Sequence, residues 1–336
     1  MHAAYPKKTS NNRALPLGWL LSAEGRLRGF LGNVPLRMSI GSQKILAVAM
    51  RSMAVEPSFT SFSYALLARF LSQESPKVFL NTSANAAISP LLQRAGFKSV
   101  PQPHLKESLV WILQPKKVLS AFFLRLGVPA GLSEFMAALG EPLLKLEKQF
   151  RRRGFGSACG KPVIAQIRPE NLNREFDELW LEFKKTNPGK ILSERAPSDL
   201  RRHFCFKNNT ISEAQIFACR LQGKLKGYLA TGVETSPRTG IRRCRVVDLV
   251  VPSEKKTVIR RLLESAYAQS LQGGSHLFEL TGFSESVRKV GLEANPYTQK
   301  HECPRYWYAT RDAGLGRRLR HASSWYASPF DGDATL

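Results

Sequence analysis

Short apolar runs alternate with polar ones along the chain, and this pattern predicts strands interspersed with helices. Two stretches, EGRLRGFL at 24–31 and QGKLKGYL at 222–229, share the order polar, Gly, basic, Leu, basic, Gly, aromatic, Leu. An apolar run precedes each stretch, so each predicts a β-hairpin with Gly25 or Gly223 in its turn. Glycine readily adopts the positive φ that such a turn requires.

The two hairpins open a longer repeat. In each half a further strand ends near a proline, Pro57 or Pro252, and a helix pattern follows. The next strand is KVFLNTS at 77–83 in the first half and HLFELTG at 276–282 in the second. Every feature recurs about 200 residues later, which predicts a tandem duplication.

The second half has an additional opening unit. KPVIAQIRPENLNREFDELWLEF predicts a strand, a turn and an amphipathic helix, and ERAPSDLRRHFCF predicts a second short helix. Only a polar leader at 1–17 precedes the first hairpin, so the first unit is expected to lack this strand–helix–helix. We therefore expect the second half, or another subunit, to cover the side of the first half that is left open.

These elements predict an α/β protein with mixed α+β sheets in two tandem units. The length of 336 residues fits two domains. The predicted division is residues 1–115, a helical connector at 116–158, and residues 159–336. Val118–Phe150 is interpreted as an amphipathic connector packed on both domains; the alternative is contact with an anionic membrane surface. No stretch has the roughly 18 uninterrupted apolar residues that predict a membrane span.

Basic residues outnumber acidic ones, with 50 Lys and Arg against 26 Asp and Glu and a net charge of +24. This favours polyanionic neighbours such as nucleic acid, anionic lipid or phosphorylated ligands. A generally basic surface explains the scattered basic pairs equally well.

Cysteine and histidine usage indicates a reducing, cytoplasmic location and no metal site. The five cysteines are widely spaced without C-x-x-C, and the N-terminus lacks the apolar core of a signal peptide. Two H-x-C pairs, His203/Cys205 and His301/Cys303, would place both side chains on one face of a strand. Their spacing is unlike that of structural zinc sites, so buried thiols beside ordinary histidines are the favoured interpretation.

The segment VEPSFTSFSYALL at 55–67 carries a family resemblance. With the element order it resembles the GNAT acyltransferases, in which a splayed strand holds the pantetheine arm of acyl-CoA. In that family a following Q/R-x-x-G-x-G/A turn binds the pyrophosphate through backbone N–H groups. Here Thr60 replaces the basic residue and Ser63 the first glycine. The resemblance implies these donor-binding residues: Val55, Thr60, Ser61, Ser63, Ala65, Asn81 and Asn85.

Further positions follow from the same resemblance. Leu92 stands where many members carry a tyrosine that protonates the departing thiolate. Asp248 lies near the place of a carboxylate that receives the amine proton, and Glu279 on the next strand is a second candidate for this catalytic role. The second-half turn, SEKKTVI, has no glycine. Its candidate anion-binding residues are Ser253, Lys255, Lys256 and Thr257.

The resemblance implies an N-acyltransferase that uses acetyl-CoA or another acyl-CoA and a small-molecule or glycan amine acceptor. The tail SSWYASPFDGDATL at 323–336 extends it to tandem GNAT-like bacterial proteins of surface polysaccharide or envelope synthesis. Two alternatives remain open. One is a Fem-like transferase with an aminoacyl-tRNA donor, which suits the positive charge. The other is an inactive GNAT-fold binding protein, which suits the altered motifs.

Overall fold

The computed structural model describes residues 15–151, 153–155, 163–205 and 212–331. They form two seven-stranded sheets and a set of helices, which confirms the predicted α/β class. The strands are β1 Gly18–Ala23, β2 Arg26–Ile40, β3 Gln43–Val55, β4 Val78–Asn81, β5 Lys98–Ser99, β6 Glu107–Ile112, β7 Val163–Ile167, β8 Ile191–Ser193, β9 Ser212–Leu221, β10 Lys224–Thr235, β11 Arg242–Val250, β12 Leu277–Thr281, β13 Tyr297–Lys300 and β14 Trp307–Ala309. The helices are α1 Ser63–Leu71, α2 Ser89–Arg94, α3 Pro115–Arg125, α4 Ala130–Phe150, α5 Arg174–Thr186, α6 Pro197–Cys205, α7 Lys256–Gln272, α8 Glu285–Leu292 and α9 Ala313–Arg318.

The repeated sequence folds into repeated structure. β1 and β2 form one predicted hairpin, and β9 and β10 form the other. Both residues of each turn have positive φ, including Gly25 at 72° and Gly223 at 76°. The strand before the proline is β3 in one half and β11 in the other, and α1 and α7 follow them. β7, α5 and α6 form the predicted opening unit of the second half.

The two sheets exchange strands. The first sheet has the order β1-β2-β3-β4-β14-β5, with β8 paired to β2, and the second has the order β13-β6-β12-β11-β10-β9-β7. β6 from the first half thus lies antiparallel between β12 and β13 of the second sheet. β14 from the second half lies antiparallel between β4 and β5 of the first sheet. Each half therefore completes the other's sheet, while the boundaries at 115 and 158 stay predictions.

The second half covers one face of the first sheet, as expected. Met38 and Leu80 on that face belong to one buried apolar cluster with Ile191 and Trp325 of the second half. The opposite face packs under α1, where the Phe70 and Phe79 rings meet edge to face at 5.5 Å.

The connector consists of α3 and α4, which pack on each other. Gly140 of α4 lies against Leu119 of α3, since a Cβ at Gly140 would come within 3.1 Å of a Leu119 methyl group. A long apolar face of α4 is exposed, and packing of the connector on both domains stays a prediction. Within the described part of the chain, no helix is both long and apolar enough to cross a bilayer.

Candidate functional site

Each sheet contains a pair of parallel strands that diverge. β3 pairs with β4 only from Ala47 to Ala49, although β3 continues to Val55. β11 pairs with β12 only from Arg243 to Arg245, although β11 continues to Val250. Each divergence leaves an opening between two strand ends, directly before a helix. We call these the first-half opening and the second-half opening.

The chain itself fills the second-half opening. The Tyr326 hydroxyl donates to the carbonyl of Leu249 beyond the end of the pairing, and Ala327 O accepts from Phe283 N–H just after β12. The Gln102 side chain both donates to Ala327 O at 2.8 Å and accepts from Ala327 N–H at 2.9 Å. Because this tail segment is buried and its backbone is hydrogen-bonded, it occupies the space that a ligand would need.

A buried ion network lies beneath this tail. The Arg195 side chain is fully buried, and its Nε donates to both carboxylate oxygens of Asp248, at 2.9 and 3.1 Å. Its Nη2 donates to Asp331 Oδ1 at 3.0 Å, and the Tyr228 hydroxyl donates to Asp248 Oδ2 at 2.6 Å. The guanidinium carbon also lies 4.7 Å from the centre of the Phe330 ring. The network joins β11, the segment after β8 and the tail.

Burial raises the pKa of Asp248 above its ordinary value. Arg195 and the Tyr228 hydroxyl act in the opposite direction and offset only part of this rise. Burial lowers the pKa of Arg195, but Asp248 and Asp331 raise it more, so the guanidinium stays charged. Asp248 has no exposed surface, and Arg195, Tyr228 and Ser328 occupy its oxygens. A role in proton transfer stays a prediction, and it would require this network to open.

The first-half opening is the less filled of the two. Asn81 is 5% exposed and ends β4, and its Oδ1 has no hydrogen-bond partner. Ser52 and Ala54 on β3 and Ser83 after β4 are exposed. A buried amide oxygen without a partner costs about 1–3 kcal/mol, so it marks a place where a donor from a ligand or a water fits.

The other predicted first-half residues lie around this opening. Val55 ends β3, and Ala65 is exposed on α1. Asn85 caps the turn before α2, because its Oδ1 accepts from the N–H groups of Ala87 and Ile88 at 3.1 Å each.

The predicted anion-binding turn is a 3-10 helix, Pro57–Phe62. The Thr60 hydroxyl donates to Pro57 O at 2.6 Å, and Ser63 N–H donates to Thr60 O. Ser61 is exposed, whereas Ser63 is buried at the start of α1. A helical turn uses some of the N–H groups that an open anion-binding loop presents, so any phosphate contact here relies on the remaining N–H groups and the exposed hydroxyls.

The second-half turn presents its candidate residues to solvent. Ser253, Lys255 and Thr257 are exposed before and at the start of α7. Lys256 pairs with Glu293 at 2.6 Å, which lowers the charge available to an anion. Anion binding by these four residues stays a prediction.

Glu279 belongs to a polar cluster on the second sheet. The hydroxyls of Ser108 and Thr281 donate to its Oε1 at 2.9 and 3.0 Å, and its Oε2 lies 3.2 Å from Arg243 and 3.5 Å from Arg245. Burial acts to raise the pKa of Glu279, but the two arginines and two hydroxyls lower it to about 2. The carboxylate is therefore ionised at neutral pH and weakly basic.

His301 joins this cluster, and the sequence pattern did not indicate it as a site residue. Its Nε2 lies 3.1 Å from Ser108 Oγ. Because that hydroxyl donates to Glu279, it accepts from Nε2–H, which leaves Nδ1 as the unprotonated nitrogen. Burial, followed by the charge of Arg305, lowers the pKa of His301. The imidazole is therefore neutral at neutral pH.

The two H-x-C pairs do not lie on strands. His203 and Cys205 belong to helix α6, and His301 follows β13. His203 packs on the Phe330 ring with centroids 4.4 Å apart, and burial lowers its pKa to about 3. The described ranges contain no group of three or more His, Cys, Asp or Glu side chains suited to a metal ion.

Comparison with known proteins shows which fold the chain has. No family model and no curated protein matches the sequence. N-Myristoyltransferase from Saccharomyces cerevisiae, solved with myristoyl-CoA and inhibitors, is similar in structure, with a TM-score of 0.53 at 10% sequence identity. The match covers 85% of this chain and 65% of that chain. The chain has a GNAT-like fold. A second structure of that yeast enzyme with myristoyl-CoA gives 0.51 at 10% identity, covering 84% and 64%.

A GCN5-related N-acetyltransferase from Anabaena variabilis gives a TM-score of 0.49 at 13% identity, covering 87% of this chain and 62% of that one. The chain thus spans less than two thirds of the length of these structural neighbours. At such low identity the similarity concerns the fold alone. Two features are seen in the structure of this chain itself. They are the exchange of strands β6 and β14 between the sheets and the filling of the second-half opening by the chain's own tail.

Proposed function

We propose that this protein is an acyl-CoA-dependent N-acyltransferase that binds its donor in the first-half opening. The observation that carries the proposal is the buried Oδ1 of Asn81, which lacks a partner where β3 and β4 diverge. An amide oxygen accepts an N–H, and the pantetheine arm of CoA carries amide N–H groups. The corresponding opening of the second half is filled by Tyr326–Ser328.

Structural neighbours support the donor class. The yeast N-myristoyltransferase structures contain myristoyl-CoA, so this fold is compatible with a fatty acyl-CoA donor in those proteins. For this chain we propose acetyl-CoA or a longer acyl-CoA as co-substrate. The acceptor is an amine on a small molecule or glycan, in surface polysaccharide or envelope synthesis.

The reaction is a direct attack of a neutral amine on the thioester carbonyl carbon. The C–N bond forms as the C–S bond breaks, the CoA thiolate leaves, and the amine loses a proton. Backbone N–H groups at the diverging end of β3 stabilise the developing oxyanion. No metal enters this chemistry.

His301 is the proposed proton acceptor. It is neutral at neutral pH, and it lies two residues before Cys303, whose Sγ is 4.0 Å from Ala84 O near the first-half opening. Replacement by Gln is expected to lower kcat by about 100-fold or more while donor binding is retained. His321→Gln, at an exposed histidine, is the matched control. Equal activity of the two variants would remove His301 from the mechanism.

Asn81→Leu tests the donor site. Leu is close in size and removes the unpartnered oxygen, so the free energy of unfolding should be unchanged or higher. Affinity for acyl-CoA should fall by about 5- to 150-fold, because the lost hydrogen bond is worth about 1–3 kcal/mol. Asn33→Leu is the contrast: its Nδ2 donates to Pro16 O and Gln73 Oε1, so stability falls instead. Unchanged affinity in Asn81→Leu would contradict the proposal.

A second candidate donor is an aminoacyl-tRNA. The net charge of +24 and the helical form of the turn at 57–62 favour it, because this donor requires no pyrophosphate loop. The two donors differ in salt dependence: tRNA binding through many phosphates weakens steeply with salt, whereas CoA binding weakens little.

A further inference from the structure

Helix α4 of the connector carries an exposed apolar stripe. Six large apolar side chains follow one another at intervals of three or four residues, and each is exposed by 52% to 87%. The leucine stripe consists of Leu132, Phe135, Leu139, Leu143, Leu146 and Phe150. Phe122 of α3 and Leu126, directly after α3, are also exposed, by 53% and 65%. Soluble monomers rarely leave so continuous an apolar surface in water, so it indicates a binding surface.

The spacing of the stripe differs from that of a coiled-coil seam. Its steps are 3, 4, 4, 3 and 4 residues, so two four-residue steps follow each other from Phe135 to Leu143. A coiled-coil seam alternates steps of three and four residues. Pro142 also lies inside α4 and lacks the N–H that a helix interior uses. The stripe therefore suits a broad apolar surface better than a long coiled-coil partner.

The charges around the stripe are mainly positive. Lys145 of α4 and Arg151, directly after it, are exposed, as are the α3 residues Lys116, Lys117 and Arg125. Glu134 is an exposed acidic residue of α4. Glu141 is paired with Lys145 at 3.0 Å, and Glu147 with Arg153 at 2.8 Å. A second copy of the chain would set a like-charged surface against this one, whereas an anionic surface attracts it.

We propose that α3 and α4 bind the interface of an anionic membrane, with the leucine stripe inserted among the acyl chains. Basic residues lie near the lipid head groups, as in other interfacial helices. The contact is peripheral, and it holds the acyltransferase fold beside acceptors or donors that lie at the membrane surface.

Vesicle flotation with the full chain tests this proposal. The intact protein should float with vesicles of phosphatidylcholine and phosphatidylglycerol, and bind vesicles of phosphatidylcholine alone more weakly. Leu139→Glu with Leu143→Glu should lower the partition coefficient at least about tenfold, because two charges enter the buried face. The matched control is Leu181→Glu with Leu271→Glu, at exposed leucines of α5 and α7, which should leave binding unchanged.

A second readout locates the contact. Leu139→Trp should shift its fluorescence emission to shorter wavelength on anionic vesicles, relative to the intact protein. No flotation of the intact protein, or equal flotation of the two double variants, overturns the proposal. Light scattering would overturn it in another way if the intact protein is a dimer that becomes monomeric in the stripe variant, because the stripe is then a subunit interface.

Discussion

Replacement of Arg195 by Met is expected to destabilise the fold strongly. The guanidinium is fully buried between Asp248 and Asp331, so its removal leaves two carboxylates without their counter-charge. Removal of one partner of a buried ion pair costs about 3–5 kcal/mol. Met fills similar space, so the loss is electrostatic rather than a cavity effect.

The expected change in melting temperature follows from the size of the chain. Unfolding entropy is about 2.1 cal/mol/K per residue, or about 0.7 kcal/mol/K for 336 residues. The melting temperature should therefore fall by about 4–7 °C, measured by calorimetry. Arg238→Met, at an exposed arginine, is the control and should change stability by no more than about 0.5 kcal/mol.

The pH dependence provides a check on the cause. Without Arg195 the pKa of the buried Asp248 rises further, so the folded state binds a proton more strongly than the unfolded state does. Stability of the variant is then lost as pH rises from the ordinary Asp pKa through the raised folded value. The difference from the intact protein should therefore be smaller at pH 5 than at pH 7. A variant with the melting temperature of the control, or a difference independent of pH, would refute this account of the network.

Three further predictions concern stability. Residues 1–115 expressed alone should not unfold cooperatively, because their sheet lacks β14 and β8; a cooperative transition by circular dichroism would contradict the strand exchange. Gly227→Ala should lower the free energy of unfolding, measured in urea, by about 1–3 kcal/mol, because its Cβ would come within 2.8 Å of a Val251 methyl group. Gly131→Ala, where no atom lies within 4 Å of the added Cβ, should be near neutral, and equal effects of the two variants would contradict the packing. Glu279→Gln should lower the free energy of unfolding by about 3 kcal/mol at pH 7, because the pKa of Glu279 is lowered from 4.5 to about 2. This stabilisation is present above pH 4.5 and is lost as pH falls towards 2, so a loss that does not depend on pH would argue against it.

Sequence patterns predicted the local structure because local rules determine it. Gly25 and Gly223 indicated hairpin turns, and both have the positive φ that only a few residues adopt easily. The repeat order then indicated the α/β fold with two tandem units.

The strand exchange could not be predicted in this way. The segment ESLVWI of β6 has the same apolar pattern whichever sheet it joins, because the pattern encodes burial and not the identity of the neighbour. Only the packing of the two sheets together decides the pairing.

The chemistry of the site was predicted only in part, because it depends on contacts between residues that are far apart in sequence. Asp248 was expected to be a proton acceptor, yet its partners Arg195 and Tyr228 lie 53 and 20 residues away, and Arg195 also binds Asp331, 136 residues away. Arg195 lies in the stretch ERAPSDLRRHFCF, which predicted a short helix but no buried charge. His301 was noted only as half of an H-x-C pair, since its contact with Ser108 spans 193 residues.

Calorimetry of acetyl-CoA binding tests the central claim most directly. It should compare the intact protein with Ser61→Asp and Ser253→Asp, which place the same negative charge at exposed positions of the first-half and second-half turns. We predict that Ser61→Asp weakens binding at least about tenfold while Ser253→Asp binds like the intact protein. Loss of binding in Ser253→Asp alone would place the donor in the second half, and no binding by the intact protein would contradict an acetyl-CoA donor altogether.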